Sequence, residues 1–192
     1  MINEKCQNLE DKELVALSIK DSQYFYCLMI RYEKKLSSYV HRFTFLTDAD
    51  IADVVQESFI NAYTHLNDCD CNLKFSSWLY RIVHNQAINF LKKNKHGINI
   101  NIDEDSSDFV DWLVSDTNIE KETITKHYNE DIKKIIDKLN PDYKEVLLLK
   151  FFEDKDYHEI SDILQKPMGT IATLISRAKL QFKTIYEKEN KY

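Results

Sequence analysis

Residues 139–182, near the C-terminus, constrain the fold more than any other part of this chain. They contain three short segments with helical apolar periodicity, each preceded by residues that favour a helix start. Asn140 can cap the first segment, and Asp156 precedes Glu159 by three positions, as in a capping box before the second. Residues 165–167 (QKP) break the pattern before the third. Three short helices ending in a helix-turn-helix are predicted.

The third of these helices, starting near Met168, has two contrasting faces. Its predicted apolar stripe consists of Ile171, Ile175, Ala178, Phe182 and Ile185. Hydroxyl and guanidinium groups point away from that stripe, on Thr170, Thr173, Ser176 and Arg177. Such a face suits a DNA major groove. A small helical bundle with a solvated outer face explains the same pattern, so the stripe alone leaves both interpretations open.

Glycine and proline are scarce, with two of each in 192 residues. Sheet proteins need many tight turns, so this scarcity predicts an all-α fold. No apolar run reaches the length of a membrane span, and the N-terminus does not resemble a signal peptide. We therefore expect a cytoplasmic protein.

Four helices are predicted before the middle of the chain, over residues 11–20, 22–45, 48–66 and 75–93. The segment that follows, 96–127, has no long helical period, and residues 94–131 hold ten acidic and three basic side chains. These features predict an acidic flexible linker between two small helical domains. Its few apolar residues could dock on a domain or simply lie in a solvated tether: Phe109, Val110, Trp112 and Leu113.

The predicted third helix carries a polar face beside its core face. The core face consists of Val55, Phe59, Ala62 and Leu66, and the polar face of Asp53, Gln56, Glu57 and Asn61. A solvated surface is the simpler interpretation. A docking surface for a basic partner is the alternative.

The predicted fourth helix repeats basic and amide side chains along one side, at Arg81, Asn85, Asn89 and Lys92. Arginine and lysine bind phosphates, and asparagine pairs with base edges. The loop at 67–74 could hold an unstacked base. Trp78 and Tyr80 could stack on bases, although Trp78 lies on the apolar side and is expected in the core.

The four cysteines, Cys6, Cys27, Cys69 and Cys71, do not suggest a disulfide framework. Cys69 and Cys71 form a single C-x-C pair, which is weak evidence for a metal or redox site. The six histidines do not cluster at ligand spacing, and no phosphate loop, metalloprotease motif or nucleophile elbow is present. We expect no metal, no cofactor and no enzymatic activity.

Four motifs in this order resemble the bacterial RNA polymerase sigma factors of the extracytoplasmic-function (ECF) type. DIADVVQESFINAYTHL (50–66) and FSSWLYRIVHNQAINFLKK (75–93) are similar to two helices of sigma region 2. LNPDYKEVLLLKFFEDKDYHEISDIL (139–164) and GTIATLISRAK (169–179) are similar to region 4. The resemblance implies region 2 at 8–95, the linker at 96–127 and region 4 at 128–187.

The resemblance also implies roles and partners. Asp53, Gln56, Glu57 and Asn61 would dock on core RNA polymerase. Region 2 would recognise and open the −10 promoter element through Lys74, Arg81, Asn85, Asn89, Lys92 and Lys93. Region 4 would recognise the −35 element through Thr170, Thr173, Ser176, Arg177 and Lys179. A further expected partner is an anti-sigma factor, often membrane-anchored, whereas a small-molecule substrate is not expected and the free protein should be a monomer.

The recognition helix departs from the family pattern G-T-V-K-S-R, because Ala172 and Leu174 occupy two customarily basic positions. Losing two cationic contacts should weaken duplex binding and flatten its salt dependence. Two other functions stay open at this point. One is a stand-alone, dimeric helix-turn-helix regulator, and the other is an adaptor that has lost DNA recognition.

Overall fold

The computed structural model describes Cys6 and residues 8–68, 74–95 and 134–189. Within these residues the chain is helical and contains no strand, which confirms the predicted all-α class. The helices are α1 (Asp11–Lys20), α2 (Gln23–Phe43), α3 (Asp48–Thr64), α4 (Phe75–Lys95), α5 (Pro141–Leu147), α6 (Tyr157–Leu164) and α7 (Met168–Glu189). A 3-10 turn, Leu66–Asp68, follows α3, and a π-helical turn, Leu148–Phe152, continues α5. The acidic segment 96–127 lies outside the described residues.

The described chain divides into two compact units. One contains α1 to α4 together with residues 148–172, and the other contains residues 134–147 and 173–189. The first unit therefore combines the helices of the first half of the chain with α6 and its flanking turns.

Helix α3 begins where the sequence predicts. The Thr47 side chain accepts a hydrogen bond from the backbone N–H of Asp50, which confirms the predicted N-cap. The predicted core face is buried, and it continues through Ile51 and Val54. Phe25 of α2 packs edge-on against Phe59, with ring centroids 6.3 Å apart, so α3 is supported from behind by α2.

Apolar residues of α2 and α4 also form part of the core. Leu28, Leu36, Leu79 and Val83 are fully buried, whereas Met29, Phe43 and Ile82 are only half-buried. Trp78 is 6% exposed, as expected of a core residue. The idea that Tyr80 stacks on bases is wrong, because Tyr80 is 2% exposed and its hydroxyl donates to a carboxylate within the protein.

The structure contains a disulfide that the sequence analysis did not anticipate. Cys6 and Cys27 are joined, 21 residues apart in sequence. Arg31 reinforces this link, since its guanidinium donates to the carbonyls of Cys6 and Leu9 and binds the Asp11 carboxylate. The segment before α1 is thereby fixed to α2.

The helix-start and helix-end signals predicted within residues 139–182 are present in the structure. Asn140 Oδ1 accepts from the N–H of Asp142 at 3.0 Å. Asp156 and Glu159 form a capping box at the start of α6. Gln165 ends α6 in the left-handed conformation at φ 54°, and α7 starts after Pro167.

Apolar burial in these helices matches the predicted stripe in its first part. Ile171, Ile175 and Ala178 are buried, while Phe182 and Ile185 are half-buried. In the second unit, Lys144 donates to Asp137 at 2.6 Å, which keeps a mostly buried ammonium paired.

Candidate functional site

The outer face of α3, formed by Asp53, Gln56, Glu57 and Asn61, is exposed along its whole length. The opposite side of the same helix is anchored by Val55, Phe59 and Ala62 in the core. This anchoring fixes the direction of the polar side chains. The outer face is therefore a solvated surface held on a rigid helix, available to a partner.

The predicted DNA side of α4 is also accessible. Asn85, Asn89, Lys92 and Lys93 are exposed, and Arg81 is half-buried. Their spacing places them on the side of α4 away from the buried Leu79, Val83 and Ala87. A run of cations and amides on one helix side can bind phosphates and base edges.

Lys74, just before α4, is exposed but already has partners in the protein. Its ammonium lies 3.4 Å from a Glu159 carboxylate oxygen and 3.7 Å from one of Asp156. The Glu159 charge and hydrogen bond raise the pKa of Lys74. The ion pairs therefore compete with any phosphate for this lysine.

The Lys74 pairs belong to a larger polar cluster that sequence patterns did not reveal. We call it the junction. One side consists of Arg42, Lys74, Ser76, Ser77 and Tyr80, and the other of Phe152, Glu153, Lys155, Asp156 and Glu159. Helices α4 and α6 pack against each other at this place.

Glu153 lies at the centre of the junction, with a side chain only 6% exposed. One carboxylate oxygen accepts from Arg42 at 2.8 Å, and the other accepts from the Tyr80 hydroxyl at 2.5 Å. Burial and the Glu153 charge raise the pKa of Tyr80, so the phenol stays a donor. The Arg42 guanidinium also lies over the Phe152 ring, 5.2 Å from its centroid.

Lys155 and Glu159 extend the junction along α4. The Lys155 ammonium donates to Ser76 at 3.0 Å and lies 4.6 Å from the Tyr80 ring centroid. Burial lowers the pKa of Lys155. Ser77 donates to Glu159 at 3.2 Å. The capping box had identified Glu159 from the sequence, but it gave no indication of Ser77.

His84 lies one helical turn beyond Tyr80 on α4. Its Nδ1 is 3.0 Å from the Tyr39 hydroxyl, and its ring stacks on Phe43 at 5.0 Å. Burial, together with the charge of Lys166, lowers the pKa of His84 to about 4. His84 is therefore neutral at pH 7.

The predicted recognition side of α7 is exposed at Thr170, Thr173, Ser176, Arg177 and Lys179. Ala172 is exposed on the same helix, and Leu174 is half-buried. Neither Ala172 nor Leu174 supplies a cation. This surface therefore has fewer exposed cations than the family pattern G-T-V-K-S-R would give it.

The described residues contain no group of three or more histidine, cysteine, aspartate or glutamate side chains that could hold a metal ion. The Cys69–Cys71 pair lies outside them, so its proposed metal or redox role stays untested. None of the helices in the described ranges is long and apolar enough to cross a membrane.

Comparison with known proteins places these features in one family. The sigma-70 region 2 family model matches residues 28–97, and the sigma-70 region 4 model matches residues 129–182. The chain therefore belongs to the sigma-70 family, and its relatives specify the ECF type. The ECF RNA polymerase sigma-E factor of Salmonella typhimurium is 31% identical over 178 residues, covering 90% of this chain and 92% of that protein.

Two solved structures share the fold at lower identity. CnrH, in complex with the cytosolic domain of CnrY, aligns with a TM-score of 0.68 at 19% identity, covering 94% of this chain and 99% of CnrH. The sigma factor RpoE of Bartonella quintana, in complex with the anti-sigma factor NepR, aligns with a TM-score of 0.61 at 17% identity. That alignment covers 87% of this chain and 98% of RpoE.

Membership of this family fixes the general function. The protein is a transcription initiation factor that acts with core RNA polymerase on promoter DNA. The stand-alone dimeric regulator is not favoured, because the region 2 match accounts for the half of the chain that such a regulator would leave unexplained.

Proposed function

We propose that the chain divides promoter recognition between two modules, region 2 at 8–95 and region 4 at 128–187, joined by the linker at 96–127. Region 2 binds core RNA polymerase and opens the −10 element. Region 4 recognises the −35 element as duplex DNA. The observation that carries this division is the exposure of three predicted surfaces, on α3, α4 and α7, each on a helix whose opposite side is buried.

The outer face of α3 would bind the polymerase. Asp53 and Glu57 supply negative charge for a basic partner surface, while Gln56 and Asn61 supply hydrogen-bonding amides. Because these side chains are exposed, binding does not require the protein to give up internal contacts.

The exposed side of α4 would bind the −10 region through Lys74, Arg81, Asn85, Asn89, Lys92 and Lys93. Lysine and arginine would bind phosphates, and the two asparagines would pair with base edges. On α7, Arg177 and Lys179 would contact the −35 duplex together with the hydroxyls of Thr170, Thr173 and Ser176. With Ala172 and Leu174 in the same helix, the −35 contact should depend less steeply on salt than in relatives with basic residues there.

The protein would act by binding, without catalysis, as a monomer in the cytoplasm where polymerase and promoters are found. An anti-sigma factor is a natural further partner, because the similar RpoE was solved in complex with the anti-sigma factor NepR. Such a partner would cover the polymerase-binding or DNA-binding surfaces until an inducing signal removes it.

Core polymerase pull-down combined with run-off transcription tests the division. Asp53→Ala with Glu57→Ala should weaken polymerase binding about tenfold or more, since both charges face the partner. Glu33→Ala, which removes an exposed carboxylate from α2, is the matched control and should bind normally.

Region 4 is tested with Arg177→Ala in the same assays. Polymerase binding should be retained, while run-off from a promoter with an intact −35 element should fall about tenfold through loss of a duplex contact. Lys183→Ala removes another exposed α7 cation, paired 3.7 Å from Glu187, and serves as the control. Equal loss of polymerase binding and promoter selection in Arg177→Ala would contradict the division.

A further inference from the structure

We propose that the Cys6–Cys27 disulfide is a redox switch that sets how fast region 2 opens the −10 element. In the oxidised form the start of α4 is held in place for DNA, and in the reduced form it is held less firmly. This inference rests on the proposed function, because it uses the roles given there to α3 and α4. Cytoplasmic disulfides are rare, and those that occur are usually transient, with catalytic or redox-sensing roles.

The disulfide and Arg31 together hold the segment before α1 on α2. Arg31 lies one helical turn beyond Cys27, and its guanidinium donates to the carbonyl oxygens of Cys6 at 2.7 Å and Leu9 at 2.8 Å. The same guanidinium donates to Asp11, the first residue of α1, at 2.5 Å. The beginning of α1 is thus fixed to α2 by one covalent bond and one arginine.

Contacts of Asp11 continue this support to the first residue of α4. The Tyr32 hydroxyl donates to the other Asp11 oxygen, and the Tyr32 ring packs edge-on against Phe75, with centroids 5.9 Å apart. Phe75 is buried and begins α4, directly after Lys74. Helix α1 also packs against the Leu66–Asp68 turn that follows α3. The start and the end of the loop predicted to hold an unstacked base therefore both rest on α1 and α2.

This support matters for opening more than for polymerase binding. Residues that are ordered only when DNA binds lose conformational entropy at that step, which weakens the capture of a base. The disulfide restrains the chain beforehand, so reduction should slow opening. Polymerase binding should be retained, because α3 is anchored through Val55, Phe59 and Ala62 in the core, and reduction should leave those contacts in place.

The disulfide is shielded in the folded protein, with Cys6 7% and Cys27 3% exposed. A reductant therefore reaches it when the contacts of Arg31 with the segment before α1 open. The side chains of Arg31 and Asp11 are both 27% exposed, so their ion pair contributes little to holding that segment. Local opening of this kind does not require the core to unfold.

Reduction is a thiol–disulfide exchange with a dithiol. A thiolate of the dithiol attacks one sulfur, the bond between Cys6 and Cys27 breaks, and a mixed disulfide forms. The second thiol of the reductant then attacks the mixed disulfide and releases the remaining cysteine. The two cysteines gain two electrons and two protons, and the dithiol loses them as it becomes a disulfide. Exchange with the oxidised dithiol reverses the reaction.

Promoter opening by the complete chain with core polymerase tests the switch. The protein is first treated with reduced or oxidised dithiothreitol, and alkylation with mass spectrometry verifies the state of Cys6 and Cys27. Permanganate reactivity of unpaired thymines then measures opening, and pull-down measures polymerase binding. The reduced protein should open the promoter about tenfold more slowly than the oxidised protein and bind polymerase equally well.

Cys6→Ser with Cys27→Ser is the matched variant, because it cannot form the bond. It should open the promoter as slowly as the reduced natural protein and should not respond to the treatment. Cys69→Ser with Cys71→Ser removes the other two cysteines and should keep the full response. A response that survives in Cys6→Ser with Cys27→Ser would assign the effect to other thiols and overturn the proposal.

Hydrogen exchange in the free protein gives a readout that does not depend on transcription. The backbone amides of Ser77 and Trp78 donate to the Lys74 carbonyl in the first turn of α4. Reduction should speed their exchange about tenfold, because the start of α4 loses support. The amides of Tyr143 and Lys144, which donate to the Asn140 carbonyl at the start of α5, provide the internal reference and should not change.

Two further results would overturn the proposal. One is equal, measurable opening by the oxidised and the reduced natural protein after both states have been verified. The other is equal exchange at Ser77 and Trp78 in the two states. Because the exchange measurement needs neither polymerase nor promoter, an absence of opening in both states would count against the proposed function alone.

Discussion

The outer face of α3 and the junction are both polar surfaces rich in carboxylates, but they differ in what those carboxylates contact. Asp53 and Glu57 are exposed on α3, whereas Glu153 and Glu159 are buried against donors from α2 and α4. An exposed carboxylate can bind a partner without breaking hydrogen bonds inside the protein. A buried, paired carboxylate must first give up its hydrogen bonds. The first surface is therefore available in the free protein, whereas the carboxylates of the second are occupied by contacts within the protein.

The largest expected effect on stability comes from the Cys6–Cys27 disulfide. It closes a loop of 21 residues beside α2, so replacing both cysteines by serine should lower the free energy of unfolding by about 3 kcal/mol. Urea unfolding with and without reductant measures the effect. If reductant leaves the unfolding midpoint of the natural protein unchanged, the disulfide does not contribute to its stability.

A matched pair of substitutions compares the two surfaces directly. Glu153→Ala should lower the free energy of unfolding by about 2 to 3 kcal/mol, because Arg42 and Tyr80 lose a buried charged acceptor. Glu57→Ala should change it by less than about 0.5 kcal/mol, as expected for an exposed position. Chemical denaturation of both variants gives the comparison. Equal losses would remove the distinction between the surfaces.

The pH dependence of the free energy of unfolding tests the buried side of α4 through His84. Its folded pKa of about 4 lies below its ordinary value, so the unfolded chain binds the proton more tightly. The neutral His84 side chain makes its full contribution to the free energy of unfolding above about pH 6.5. This contribution is lost as the pH falls towards 4, and about 2 kcal/mol of it is lost between pH 7 and pH 5. His84→Gln should lack this increment, and subtracting its unfolding curves from those of the natural protein isolates it. Parallel pH profiles would contradict the assignment.

The smallest effect concerns the helix that carries the available surface. Thr47→Ala removes the N-cap of α3 and should cost about 1 kcal/mol, whereas Thr47→Ser keeps the cap oxygen and should cost much less. Thermal unfolding of the two variants measures the difference. A Thr47→Ala protein as stable as Thr47→Ser would mean that the cap does not hold the first turn of α3.

Local signals in the sequence predicted the helices well. The cap at Thr47, the capping box at Asp156 and Glu159 and the break after Gln165 act within a few residues, and each is present. The exposed surfaces on α3, α4 and α7 followed from helical periodicity for the same reason. These features depend on neighbours along the chain, which a single sequence contains.

Long-range pairing could not be predicted in the same way. Glu153 is 111 residues from Arg42 and 73 from Tyr80, and nothing in either local pattern identifies the other. Tyr80 looked available for base stacking because its partner lies in a distant segment. The Cys6–Cys27 pair was missed because cysteine spacing does not determine pairing.

Glu159 shows how two tasks can restrict one position. One oxygen of its carboxylate accepts from the backbone N–H of Asp156 at the start of α6, and the other accepts from Ser77. A substitution at Glu159 would therefore remove the contact with Ser77 and also fray the first turn of α6. Substitutions at Glu159 should accordingly be rarer among the folded variants of a random library than substitutions at the exposed Glu57, leaving a visible gap in the mutational spectrum.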